Sequence, residues 1–102
     1  MTSNFAFLKE KFEPLAHLGE LAESYLYSDP NSCLIKIGMM GEMIVNYIYH
    51  YDFIKPPVDN NLVNRINVLL EEDYVTDDIA SALHTLRKAR NKAAHDNYNS
   101  TE

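Results

Sequence analysis

The chain has 102 residues, 46% of them apolar, with 15 acidic and 9 basic side chains for a net charge of −6, which suits one folded domain with its own core and excludes two independent ones. Seven Tyr and four Phe are too many for a disordered chain, and three Gly and four Pro too few for a loop-dominated one. The single cysteine, Cys33, excludes an internal disulfide and a cysteine-built zinc site and fits a reducing compartment.

Phe5, Leu8, Phe12 and Leu15 recur at three- and four-residue steps, and Leu18, Leu21, Ala22, Tyr25 and Leu26 continue the pattern, which predicts a first helical element. Pro14 lacks an amide hydrogen and clashes with the preceding turn, so this element is expected in two segments. Residues 1–10 have neither the basic start nor the apolar run of a secretory signal, and a cytoplasmic location is expected.

Ser28, Asp29 and Pro30 supply a stop and a start, with Asp29 as cap and Pro30 preset for the first helical position. A long helix is expected from about Asn31 to Asp52, the spine of the fold. On a wheel of about 100° per residue its apolar face centres on Ile37, Gly41, Ile44, Ile48 and Tyr51, widened by Met40, Val45 and Tyr47. Gly38 and Gly41 would each weaken an exposed helix by up to about 1 kcal/mol relative to Ala, so another backbone is expected to approach closely there. Lys36, Glu42, Asn46 and His50 interrupt the apolar run too often for a membrane span, and no membrane partner is expected. Tyr47, Tyr49 and Tyr51 alternate around the helix and make no single stacking platform.

Pro56 and Pro57 break the pattern, Asp59 or Asn60 can cap a new start, and Leu62, Ile66, Leu69 and Leu70 mark one face of a shorter helix ending before Tyr74. Thr76, Asp77 and Asp78 open a last helix, predicted to span Asp77 to His95, with Ile79, Leu83, Leu86 and Ala93 on one stripe. Residues 96–102 read as a frayed polar tail. No segment alternates with a period of two, so the fold is predicted all-α, a compact four- to five-helix bundle forming a single domain over residues 1–102.

The glycines are too scattered to form a phosphate-wrapping loop, and His17, His50, His84 and His95 are too far apart for helical zinc ligation. No metal and no cofactor is expected in this domain. The acidic total argues against a broad nucleic-acid surface, yet Arg87, Lys88, Arg90 and Lys92 crowd within six positions, a local basic patch that could contact nucleic acid. The plainer reading is that these cations oppose the partial negative charge of a helix C-terminus.

Within that patch, Arg90 and His95 have the residue types for metal-free RNA cleavage: an imidazole that moves a proton and a guanidinium that holds a phosphate. Five helical steps, however, turn Arg90 and His95 about 140° apart. Arg90 falls amid the apolar stripe, where a guanidinium needs a partner, while His84, Arg87, Asn91 and His95 form a neighbouring polar ridge. Glu42, Asn46 and His50 form a matching ridge on the spine helix, and Glu42 is expected to pair with Arg90 or Arg87 across the bundle.

Ser3 to Leu8, Leu18 to Glu23, Tyr25 to Asn31, Leu34 to Lys36, Gly41 with Glu42, Leu83 to Lys88 and Asn91 to Asn97 together resemble the small helical domain at the N-terminus of type I restriction enzyme R subunits, in the same order over nearly the whole chain. The resemblance implies a non-catalytic nucleic-acid-binding or assembly module of a subunit that acts as an endonuclease and translocates DNA with ATP and Mg. The motifs for those activities would lie beyond these residues, and the partners implied are the remainder of the R subunit and the restriction complex. The family pattern Arg-Lys-x-Gly-Asn-x-Ala-x-His matches Arg87, Lys88, Asn91, Ala93 and His95, with Arg90 in place of the usual Gly. The same segment is similar to the Arg-(four to six residues)-His motif of HEPN domains, which implies the alternative of a metal-independent ribonuclease or a dimeric protein-interaction domain. In such a ribonuclease His95 would be acid/base, Arg90 the phosphate holder and Asn91 the orienting group, with the cleft completed by a second copy of the chain.

Overall fold

The computed structural model describes residues 12–100, with side chains described through His95. Among them are four helices, α1 (Glu13–Tyr25), α2 (Pro30–Tyr51), α3 (Leu62–Glu71) and α4 (Asp77–Ser100), and no strand. The all-α bundle predicted from periodicity is the observed fold. Phe5, Leu8 and any helical segment ahead of Pro14 lie outside the described residues. Pro14 itself sits in the first turn of α1, where an amide hydrogen would have no helical acceptor to lose.

Local chemistry sets the helix boundaries. Asp29 caps α2, its Oδ1 accepting from the Ser32 amide at 3.3 Å and its Oδ2 from the Ser32 hydroxyl at 2.6 Å. Asn61 caps α3 through the Asn64 amide at 2.8 Å, and Thr76 accepts from the Ile79 amide at 3.3 Å at the start of α4. Both α2 and α3 end in a left-handed residue that is not glycine, Phe53 at φ 53° and Asp73 at φ 60°. The paired backbone bonds of a Schellman turn close each end: Ile54 N–H to Tyr49 O at 3.0 Å and Phe53 N–H to His50 O at 3.4 Å after α2, Tyr74 N–H to Leu69 O at 2.9 Å and Asp73 N–H to Leu70 O at 3.2 Å after α3.

The spine helix α2 contacts each of the other three, whereas α1 packs on α2 alone among the helices. Two cores result. Val45, Tyr49, Ile66, Leu69, Val75, Ala80 and Leu83 join α2, α3 and α4, and Leu15, Leu18 and Met40 join α1 to the middle of α2. With partners on several sides, α2 has no single apolar face: its buried residues are Cys33, Gly38, Met40, Gly41, Val45 and Tyr49, and Tyr51, expected near the centre, is exposed. On α4 Leu83 and Ala93 of the predicted stripe are buried and Leu86 is half-buried, but its first member is not Ile79. Ala80 is buried and Ile79 exposed, because a small residue lets α4 lie close to α3 where an Ile would hold it off. Helix α4 also continues to Ser100, through five residues expected to fray.

Candidate functional site

The middle of α2 and the middle of α4 come unusually close because of one residue. A Cβ on Gly38 would lie 2.3 Å from Arg90 Cβ and under 3 Å from Arg90 Cγ (2.8 Å) and Cδ (2.7 Å), so only a glycine lets the Arg90 stem cross α2 here. Gly41 faces the Leu86 side chain, with a Cβ there 3.5 Å from Leu86 Cδ1. At Gly38 the first side-chain carbon of Arg90 brings the α4 backbone close to α2, as expected, whereas at Gly41 the contact is an ordinary one with the Leu86 side chain.

Having crossed α2, Arg90 donates from Nη1 to Glu42 Oε2 at 2.8 Å. The other carboxylate oxygen of Glu42 lies 3.6 Å from Arg65 Nη2 on α3, and Arg65 Nη1 donates to Asn46 Oδ1. Glu42 thus ties three helices through two guanidinium groups, and the seam keeps a surplus positive charge. Tyr49 supports it from below, donating its hydroxyl to the Arg65 carbonyl at 2.7 Å; burial raises its phenol pKa above the usual 10, partly offset by the Arg65 charge.

Arg65 was not singled out from sequence, although a signal existed. It sits between Leu62, Ile66 and Leu69 on the apolar face of α3, the same anomaly that marks Arg90 on α4.

The second feature is the outer face of α4. His84, Lys88, Asn91 and His95 follow one another at three- and four-residue steps, flanked by Arg87 and Lys92, so they form one stripe turned away from the buried Leu83 and Ala93. Lys88, Asn91, Lys92 and His95 are exposed, and Arg87 is half-buried. The predicted basic patch is therefore divided: Arg90 belongs to the inner seam with Glu42, half-buried Arg87 lines the groove between α3 and α4, and Lys88 and Lys92 face outward. Arg90 and His95 lie on these two different faces of the helix.

At the N-terminal end of this stripe an open cleft of about 460 Å³ lies between α3 and α4, lined by Asn67, Ser81, His84, Arg87 and Lys88 among others. His84 Nε2 lies 3.0 Å from Asn67 Oδ1, the distance at which the Nε2–H tautomer donates to the amide oxygen. Burial first, and then the charges of Arg87 and Lys88, hold the His84 pKa below its usual 6.5, so the ring is neutral at physiological pH. Sequence placed His84 on the polar ridge, but its partner Asn67 lies on another helix and leaves no local mark.

Among the described residues no group of three or more His, Cys, Asp or Glu could hold a metal ion, and no helix is long and apolar enough to cross a membrane.

The fold and this site define a small all-α domain with an internal ionic seam and a basic outer face on its last helix. Residues 20–102 match the family described as Domain of unknown function (DUF4145), and the chain belongs to it. It is also 33% identical, over 99 residues, to the Type I restriction enzyme EcoKI endonuclease subunit of Escherichia coli (strain K12). That alignment covers 95% of this chain and 8% of the subunit. No solved structure matches the chain.

Proposed function

We propose that this domain is a non-catalytic nucleic-acid-contacting module of a restriction-related protein, acting as part of a larger complex as the similar R subunit would. The observation that carries the reading is the outer face of α4. Arg87, Lys88 and Lys92 have no carboxylate partner among the described residues, in a chain that holds 15 acidic side chains. Two exposed lysines, with a half-buried arginine at the edge of the same helix face and no carboxylate partner among the described residues, suit a polyanion. Arg90 is assigned to the seam rather than to the contact, because Glu42 already answers its charge at 2.8 Å.

DNA binding by the chain, measured against salt, tests this. Each phosphate contact contributes a slope of about −0.9 in log K against log salt, so replacing Arg87, Lys88 and Lys92 by Gln should flatten the slope by roughly 2.7. No binding at low salt, or equal binding by the triple variant, would leave an assembly role without nucleic acid. RNA cleavage in chelator that His95→Ala abolishes would instead select the ribonuclease alternative, with the cleft formed between two copies.

A further inference from the structure

The cleft between α3 and α4 places two cations among neutral polar groups, with one carboxylate, Asp77, at its far end. Arg87 and Lys88 line it, and neither has a carboxylate partner among the described residues. Arg87 Nε is covered by the protein with no hydrogen-bond partner, so an acceptor in the cleft would meet the outer guanidinium nitrogens, which have no carboxylate to answer them among the described residues. The neutral groups are sorted as well. Thr85 already donates its hydroxyl to the Ser81 carbonyl at 2.9 Å, and Asn67 takes the His84 ring on its Oδ1. That leaves the Ser81 hydroxyl and the Asn67 amide Nδ2 as donors. The one acid in the lining, Asp77, starts the helix about 15 Å along the axis from Arg87.

We propose that this cleft is a phosphate site, in which Arg87 and Lys88 bind the oxygens of a phosphate group, Ser81 and the Asn67 amide donate to it, and His84 acts as a positioning residue by fixing Asn67. A cleft of about 460 Å³ has the size of a small-molecule site and admits a phosphodiester with its flanking sugars. That the phosphate comes from a DNA backbone rests on the function proposed above; the site itself does not.

Filling the cleft has a pH signature. The charged groups facing His84 are Arg87 and Lys88 on its own helix, with Asp77 farther off, while α3 contributes Asn67 and Leu70 and no charge. A bound anion offsets the repulsion that Arg87 and Lys88 exert on an imidazolium, so it raises the His84 pKa. By linkage, phosphate binds more tightly as the pH falls through the His84 titration.

Nitrogen-15 NMR of the chain, following the His84 ring and the Arg87 Nε–H, tests the site with inorganic phosphate and then with a short DNA duplex at low ionic strength. Saturable shifts of both signals are expected with phosphate. Arg87→Gln and Lys88→Gln should each weaken binding about tenfold or more, as loss of a charged hydrogen bond does, and His84→Gln should remove the tightening at low pH. Still signals, or binding unaffected by both charge removals, would overturn the proposal. Should phosphate move the signals while the duplex does not, the site stands with a free phosphate compound as its ligand and the DNA reading fails. Duplex binding with both signals still would sink the site and leave the DNA reading intact.

Discussion

Gly38→Ala puts the contact between α2 and α4 to a quantitative test. The new methyl carbon would lie 2.3 Å from Arg90 Cβ, whereas carbon atoms rest at about 3.5–4.0 Å. Arg90 Cβ is the first carbon off the backbone and cannot swing aside, so α4 has to retreat by about 1 Å or more. Overpacking of this kind costs about 1–3 kcal/mol. Stretching the Arg90–Glu42 bond, whose side chains are 34% and 37% exposed, adds at most about 1 kcal/mol. The better helix propensity of Ala opposes these by about 1 kcal/mol.

The net expectation is a loss of about 1–2 kcal/mol, a drop in Tm of roughly 5–15 °C for a domain of this size, read by thermal and urea denaturation. Gly41→Ala is the control. Its Cβ would make an ordinary 3.5 Å contact with Leu86, so the propensity gain of up to about 1 kcal/mol should survive and raise Tm. If both variants moved the same way, or Gly38→Ala matched the parent, the account of Gly38 as the residue that admits Arg90 would be wrong.

Ile66 is 1% exposed in the larger core, and Ile66→Ala should cost about 2–5 kcal/mol in urea denaturation. The Asp29 carboxylate is held below its usual 3.8 by the hydroxyl and amide of Ser32. Its depressed folded pKa makes the capping contribution full above pH 3.8 and lost as the pH falls through the lowered value. Asp29→Ala should therefore melt earlier than the parent at neutral pH, with the two melting curves converging in strong acid.

Much of the fold was legible because its signals are local. Asp29 and Pro30 announce the start of α2, Thr76 that of α4, and the three- and four-residue steps of Leu62, Ile66 and Leu69 mark the buried side of α3. What failed was the choice of face where helices touch most closely. Hydropathy favours the large Ile79, but close packing selects Ala80, and a helix with neighbours on several sides, as α2 has, defeats a search for one apolar stripe. The inner seam was half legible: a lone arginine on an apolar stripe demands a partner, which directs attention from Arg90 to Glu42. The same reasoning applies to Arg65. The His84–Asn67 contact joins positions 17 apart on different helices, and nothing in either neighbourhood encodes it.

The division of the interior into two cores has a consequence for how the molecule comes apart. Because α1, among the described helices, packs on α2 alone, through Leu15, Ala16, Leu18, Gly19 and Ala22, it can lift away while the Val45–Ile66–Leu83 core stays closed. Amide protons in α1 should therefore exchange with solvent through a partial opening that requires less free energy than complete unfolding. Those of α3 and the first half of α4 are released only when the whole domain gives way.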